Sequence, residues 1–182
     1  MKTPSKLNLL ELAGFVCDGL RKQGIDVVLS GGACVSIYSE NQYESYDLDF
    51  IRIDFASFDS ISEAMKKLGF LKSGRHFKHP SSLFFVEFPA PPLTVGSEPV
   101  KSVQIISVPK YGDLNIISAT DCVKDRLCAY YFWKDKQGLD QAVLVASTNE
   151  IDLKEIRRWS DVERCSEKFL EFKRLLKKLK TK

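Results

Sequence analysis

The sequence lacks the patterns that mark membrane, secreted or disordered proteins. No apolar run approaches the length of about 18 residues that a spanning helix needs, so we expect no membrane association. The N-terminal segment has no continuous apolar stretch and contains Glu11, so we expect no signal peptide. There is no internal repeat and no low-complexity segment. A hydrophobic share of 44% with 12 Phe predicts a folded core with disorder only at the ends.

Paired cysteines are also missing. The 5 cysteines lie at positions 17, 34, 122, 128 and 165. Their number is odd and no two have CxxC spacing, which argues against a disulfide framework and against a structural zinc site. We therefore expect reduced thiols packed in a core, as is typical of a cytoplasmic protein.

Neither sign of charge dominates the chain. The 27 basic and 24 acidic residues give a net charge of +3, which by itself does not indicate a nucleic-acid partner. Basic residues do collect near the C-terminus, at Lys173, Arg174, Lys177, Lys178, Lys180 and Lys182. This cluster fits either the solvated end of a helix or a patch that attracts RNA, DNA or another polyanion.

Strands and helices are interleaved in the first two thirds of the chain. Periodicity predicts helices over 6–23, 33–39 and 58–68, strands over 25–30, 46–53, 70–77 and 83–88, and a hairpin of 103–108 with 114–117. After Ser118 the pattern predicts only helices, over 119–134, 137–148, 152–159 and 162–180, with Asp152 and Ser160 as N-caps of the last two. This order favours the α+β class.

Two aspartates share one face of the predicted strand over 46–53. Side chains alternate along a strand, so Asp47 and Asp49 point one way while Leu48 and Phe50 point to the core. The two carboxylates lie roughly 6.6 Å apart along the strand, a spacing that lets them converge on one metal or bridge two. The alternative is an exposed acidic pair on an edge strand with no ligand.

A glycine pair follows the strand that precedes these acids. Ser30, Gly31 and Gly32 join a strand to a helix, which lets the backbone approach a phosphate at the positive end of the helix dipole. The alternative is a tight turn that simply needs glycine. The order of strand, Gly-Gly, helix and acidic strand would place a phosphate seat beside a metal site.

This order resembles the signature of the nucleotidyltransferase (DNA polymerase β-like) superfamily. The family pattern is an apolar residue, Gly-Gly or Gly-Ser, a short spacer and an Asp-apolar-Asp motif. Here Leu29-Ser30-Gly31-Gly32 precedes Asp47-Leu48-Asp49-Phe50 by fourteen residues, a slightly longer spacer than is usual. The resemblance covers roughly residues 7–117 and is greatest to small stand-alone prokaryotic members, including those related to abortive-infection toxins.

The resemblance implies a fold and a set of site residues. It implies a mixed sheet flanked by helices over 1–118, with a C-terminal helical bundle over 119–182 packed on it. It implies Mg²⁺ or Mn²⁺ held by Asp47, Asp49 and a third carboxylate, for which Glu87 is the candidate and Asp113 and Asp54 are alternatives. The implied substrate is a nucleoside triphosphate seated on Ser30, Gly31 and Gly32.

Other polar residues have two interpretations each. Lys124 and Arg126 could neutralise the triphosphate, or Lys124 could pair with Asp121 one helical turn earlier. His76 and His79 have a spacing of three but lie in a strand or loop. A surface role, or contact with a bound phosphate through Arg75 and Lys78, therefore fits this stretch better than metal ligation.

Three functions remain open at this point. The first is transfer of a nucleoside monophosphate to a hydroxyl of RNA, protein or a small molecule, with release of pyrophosphate. The second is a non-catalytic module that binds a nucleotide or a partner in a toxin–antitoxin or defence pair. The third is an RNA-binding protein that uses the lysine-rich C-terminal segment.

Overall fold

A seven-stranded mixed sheet forms the centre of the computed structural model, which describes residues 7–54 and 56–180. The strands are β1 (Val27–Ser30), β2 (Asp47–Arg52), β3 (Leu71–Ser73), β4 (His76–Lys78), β5 (Phe85–Glu87), β6 (Thr94–Val95), β7 (Glu98–Pro99), β8 (Val103–Val108) and β9 (Gly112–Ile117). The helices are α1 (Leu9–Arg21), α2 (Gly31–Tyr38), α3 (Phe58–Lys67), α4 (Ala119–Trp133), α5 (Lys136–Thr148), α6 (Leu153–Val162) and α7 (Ser166–Lys180).

The strand order β3-β4-β5-β2-β1-β9-β8 brings the glycine pair and the acidic strand together. β1 runs antiparallel to β2 and parallel to β9, while β2 runs parallel to β5. The end of β1 and the beginnings of β2 and β5 therefore lie at the same end of the sheet's strands. Because β6 and β7 pair only with each other, they form a separate two-stranded hairpin.

Alternation along the strands separates a core face from a polar face. Leu48, Phe50 and Val86 are fully buried, and Phe77 on β4 lies opposite Val86 in the register. The ring of Phe58 at the start of α3 lies 6.0 Å from that of Phe77, so α3 covers this face. The predicted α+β class, with helices flanking a mixed sheet, is confirmed.

Polar caps set the beginnings of several helices. Asn8 and Glu11 form a reciprocal capping box at α1, and Ser57, Ser118 and Asp152 cap α3, α4 and α6 through their side chains. These bonds satisfy backbone N–H groups that have no partner within the helix. The prediction that Asp152 is an N-cap is thus confirmed.

Other sequence predictions were wrong in detail. The strand expected over 70–77 is instead the hairpin β3–β4, which turns at Gly74 with φ of +64°. The helix expected from position 33 begins at Gly31, so the glycine pair forms its first turn. Ser160 lies inside α6 and donates to the Ile156 carbonyl, and α7 begins later at Ser166. The β6–β7 hairpin was not predicted.

The C-terminal helices pack on one another and on α2. α4 contacts α2, α5 and α6. The indole of Trp159 in α6 is fully buried, stacks on Tyr131 with ring centroids 5.6 Å apart, and donates to the Val95 carbonyl. This hydrogen bond links the β6–β7 hairpin to the C-terminal helices. The division of the chain into 1–118 and 119–182 stays a prediction.

Two expectations about the whole chain can be compared with the described residues. All five cysteines are unpaired there, and Cys17, Cys34, Cys122 and Cys128 are buried. Within 7–54 and 56–180, no helix is both long and apolar enough to cross a membrane. Of the basic C-terminal residues, Lys173, Arg174, Lys177 and Lys178 are exposed on α7, while Lys182 lies outside the described residues.

Candidate active site

A row of polar side chains crosses four neighbouring strands on the face opposite the core. In the register His76 on β4 lies beside Glu87 on β5, Glu87 lies beside Asp49 on β2, and Asp49 lies beside Ser30 on β1. Adjacent strands are about 4.8 Å apart, so the row spans roughly 14 Å. Asp47, two residues before Asp49, shares this face. The structure therefore brings the three predicted carboxylates onto one surface.

The Asp49 carboxylate is the most perturbed of the three acids. Burial, together with the nearby charges of Glu87 and Asp47, raises its pKa to about 6, while Arg126 acts in the opposite direction. Among the described residues no hydrogen bond reaches this carboxylate. A half-buried acid without a donor is poorly stabilised in its charged form, and a cation at this place would relieve that cost.

Asp47 is closer to solvent than Asp49, and Glu87 is a charged neighbour of both. Burial and the charge of Glu87 raise its pKa, whereas His76 and Arg75 lower it. The charge of Glu87 thus raises the pKa of both aspartates, as expected for carboxylates that lie close together. Asp54 and Asp113, the alternatives for a third acid, lie at the other end of the sheet. Asp54 accepts from the backbone N–H of Asp26, and Asp113 lies near the beginning of β9.

The glycine at the start of α2 is fixed by its contact with Asp49. Gly31 has φ of +70°, a conformation that side chains disfavour, and a Cβ there would overlap Oδ2 of Asp49. A Cβ on Gly32 would lie 3.1 Å from Oγ of Ser45. The first turn of α2, with its unpaired N–H groups, therefore sits against the acidic strand.

Ser30 connects β1 to α2 without capping the helix. Its hydroxyl donates to the backbone carbonyl of Asp49 at 3.2 Å, and its side chain makes no capping bond to α2. The backbone N–H groups at this helix start thus keep their capacity to bind an anion. Of the three residues that were predicted to bind phosphate, Ser30 and Gly31 lie beside Asp49, and Gly32 lies beside Ser45.

Glu87 is held from the side away from β2. Its Oε1 lies 2.5 Å from Nδ1 of His76 and 3.4 Å from Nε of Arg75. Nδ1 of His76 is buried and its contact with Glu87 does not have hydrogen-bond geometry, so the pair is close but poorly aligned.

The donor set suits a divalent cation by its chemistry. Three carboxylates offer the hard oxygen ligands that Mg²⁺ prefers, and burial of Asp49 favours binding of a positive charge. In 7–54 and 56–180, however, no group of three His, Cys, Asp or Glu side chains is already arranged to hold a metal ion. Asp47 and Asp49 fit as the first ligands, and Glu87 is engaged with His76 and Arg75.

The two predicted cations on α4 have different surroundings. The Lys124 ammonium is buried, 2.8 Å from Asp121 and 3.3 Å from Glu155, and it lines a polar cavity of about 390 Å³. None of the three acids of the row lines this cavity. The alternative of a pair with Asp121 is therefore what the structure shows, and binding of triphosphate by Lys124 stays a prediction.

Arg126 is the cation of α4 whose charge acts on Asp49. It pairs with Asp125 at 2.5 Å and donates to Gln141 at 3.5 Å, and its charge lowers the pKa of Asp49. The sequence pattern does not indicate a functional role for the carboxylate of Asp125. Its pairing with Arg126 is a local, adjacent-residue contact that strand or helix spacing does not indicate.

The sequence also missed the partners of Glu87. His76 and Arg75 were assigned to a surface or phosphate-binding role because 70–77 was interpreted as one strand. The signal was the Gly74-Arg75 dipeptide, which fits a two-residue hairpin turn and predicts a returning strand that begins at His76. The histidine pair does not act as a unit, since His79 accepts instead from the backbone N–H of Ser81.

Neither a family model nor a curated protein sequence matches the chain. Two solved structures are similar. An antigenic nucleotidyltransferase-like protein from Paracoccidioides brasiliensis superposes with a TM-score of 0.59 at 13% identity, covering 75% of this chain and 74% of that chain. ANT(2″)-Ia in complex with adenylyl-2″-tobramycin gives 0.51 at 9% identity, with 89% and 97% covered. The chain therefore has the fold of the nucleotidyltransferase superfamily.

Proposed function

We propose that the chain is a metal-dependent nucleotidyltransferase. The observation that carries the proposal is the meeting of Asp47, Asp49 and Glu87 on one sheet face beside the Gly31 helix start. The similarity in fold to a nucleotidyltransferase-like protein and to ANT(2″)-Ia in complex with adenylyl-2″-tobramycin supports it. The substrate would be a nucleoside triphosphate, and the acceptor a hydroxyl group of RNA, protein or a small molecule.

In this proposal each part of the site has a separate role. Asp47 and Asp49 hold Mg²⁺ or Mn²⁺, which when bound neutralises triphosphate charge and lowers the cost of charge development. The N–H groups at Ser30, Gly31 and Gly32 bind the phosphates that leave. Arg126 adds positive charge behind Asp49. Residues 119–182 then form a helical region packed on a 1–118 core.

The transfer step is an in-line displacement at the α-phosphorus. Glu87, the third carboxylate, takes the proton of the acceptor hydroxyl. The hydroxyl oxygen forms a bond to the α-phosphorus as the bond from that phosphorus to the bridging oxygen breaks. Pyrophosphate leaves with the electron pair of that bond. The contact of Glu87 with His76 and Arg75 keeps the carboxylate oriented from the side opposite Asp49.

Radiolabel transfer from each of the four α-labelled nucleoside triphosphates tests the enzyme. We expect Asp49→Asn to abolish transfer, while Asp113→Asn, at the other end of the sheet, retains it. Full turnover by Asp49→Asn would refute the metal role of that residue. Pyrophosphate release is measured in parallel, so that transfer to an unknown acceptor is still detected.

A non-catalytic nucleotide-binding or partner-binding module is the second candidate. It is favoured by the engagement of Glu87 with His76 and Arg75 and by the lack of a ready-made metal arrangement among the described residues. Such a module could serve one half of a toxin–antitoxin or defence pair. Calorimetry with Mg²⁺ and each triphosphate separates the cases, because tight binding with no pyrophosphate release over hours fits only the module.

A further inference from the structure

The proposed reaction determines at which end of the polar row, which runs from Ser30 through Asp49 and Glu87 to His76, each reactant lies. In an in-line displacement the attacking oxygen and the leaving pyrophosphate lie on opposite sides of the α-phosphorus. The helix start at Gly31 seats the leaving phosphates at one end of the row, beyond Asp49. The acceptor must then approach from the other end, over Glu87 and the hairpin β3–β4. This step rests on the proposed function.

Two cations stand at that acceptor end. Arg75 occupies the hairpin turn, its side chain is 81% exposed, and its Nε is 3.4 Å from Glu87. Lys78 is exposed, and its ammonium lies 5.6 Å from the ring centroid of Phe85, the register neighbour of Asp47. Among the described residues no acid other than Glu87 pairs with Arg75, and none pairs with Lys78. Both cations keep donors free for a ligand.

We propose that Arg75 and Lys78 bind a phosphate group on the acceptor and so orient its hydroxyl toward Glu87. An exposed guanidinium and an exposed ammonium on one side of a carboxylate site match a phosphate in charge and in donor geometry. The same charges repel an acceptor that carries several amino groups. The acceptor is therefore a phosphorylated hydroxyl compound, which is either the end of a nucleic-acid strand or a small phosphorylated molecule.

The neighbouring lysine supplies a matched control. Lys72 on β3 lies opposite Phe77 in the register and extends over the ring of Phe58, 4.6 Å from its centroid. Lys72 therefore occupies the same hairpin but the core-side face of the sheet. Removing its charge leaves the polar face intact and changes the net charge as much as removing Lys78 alone does, while Lys173→Ala with Arg174→Ala matches the loss of two charges at Arg75 and Lys78. An effect seen only in the Arg75/Lys78 variant therefore depends on where these charges lie and not on the net charge.

The test measures binding of phosphate-bearing probes without any triphosphate. One arm titrates a fluorescein-labelled single-stranded RNA of about 12 nucleotides by anisotropy at several salt concentrations. The other compares AMP with adenosine by calorimetry. Each arm uses the unaltered chain, Arg75→Gln with Lys78→Gln, Lys72→Gln, and Lys173→Ala with Arg174→Ala. Thermal melting followed by circular dichroism confirms that every variant is folded.

We expect the Arg75/Lys78 variant to weaken binding of the favoured probe at least about tenfold, and the two other variants to leave it within about twofold. For RNA the salt slope should fall by about 0.7, as for one lost phosphate contact on a single strand. Binding of RNA alone identifies a nucleic-acid acceptor, and binding of AMP over adenosine identifies a small phosphorylated one.

Three results would overturn the assignment. They are no binding of either probe, equal binding by the Arg75/Lys78 variant, and loss of binding only in the Lys173/Arg174 variant on α7. Failure of the proposed function is detected separately, as absence of pyrophosphate release by the unaltered chain with Mg²⁺ and each of the four triphosphates. The probe assays contain no triphosphate, so their outcome does not depend on that result.

Discussion

Asp49→Asn should make the protein more stable while it removes activity. Burial and the charges of Glu87 and Asp47 hold the pKa of Asp49 at about 6, against an ordinary value of 3.8. That difference corresponds to ~3 kcal/mol of unfavourable free energy in the folded state when the group is ionised. Because no described residue donates a hydrogen bond to this carboxylate, replacing the carboxylate with an isosteric amide removes few stabilising contacts.

The direction of this pKa shift determines how the stability gain of Asp49→Asn changes with pH. The folded protein binds the proton more tightly than the unfolded chain, so the destabilisation is absent below pH 3.8, grows as pH rises and is complete above pH 6. The gain from Asp49→Asn should be about 3 kcal/mol at pH 8, about 2 kcal/mol at pH 5 and below ~1 kcal/mol at pH 4. Partial solvent access makes these values upper estimates.

Urea unfolding at pH 4, 5 and 8 in the absence of metal measures this gain. Asp113→Asn is the matched control, since Asp113 is exposed at the far end of the sheet, and we expect no change at any of the three pH values. A variant of Asp49 that is no more stable at pH 8 than at pH 4 would show that its carboxylate is not destabilised in the folded state.

Three further expectations follow from the same contacts. Mg²⁺ affinity should fall about tenfold per pH unit below pH 6, since protonated Asp49 cannot ligate; equal calorimetric affinity at pH 5 and 7.5 would contradict this. Gly31→Ala should cost about 2 kcal/mol or more by urea unfolding, against about 1 for Gly24→Ala, whose φ is also positive but whose Cβ meets nothing; equal losses would contradict the overlap with Asp49. Lys124→Met should cost about 3–5 kcal/mol by leaving the buried Asp121 carboxylate without a cation, with partial recovery on adding Asp121→Asn; a raised KM with unchanged stability would instead assign Lys124 to the triphosphate.

Local pattern was sufficient to predict most elements of the fold. The helices α1, α3 and α4 and the strands β1, β2 and β5 were each predicted within a few residues, because apolar periodicity reflects which face of an element is buried. The hairpin β3–β4 was missed because each strand has only three residues, too few to show alternation. Ser160 was misassigned because its hydroxyl bonds inside α6 instead of capping α7.

The candidate site could be predicted only as a set of residue types in order. Alternation on β2 places Asp47 and Asp49 on one face, and a strand that runs into Gly31 indicates a phosphate seat. Lys124 shows the limit of such reasoning. Its position on α4 is compatible with a phosphate, but the acid that lies 3.3 Å from it, Glu155, comes from another helix and cannot be inferred from nearby sequence.

The sequence by itself determined the α+β class, the reduced thiols and the alternation that puts two aspartates on one side of a strand. These follow from local rules, because side-chain direction along a strand depends only on the backbone repeat. Tertiary structure decided that Glu87 lies beside Asp49 on the same sheet face, that Gly31 lies against Asp49 and that Arg75 and His76 contact Glu87. Strand order and register set those contacts, and both depend on packing between residues far apart in the chain.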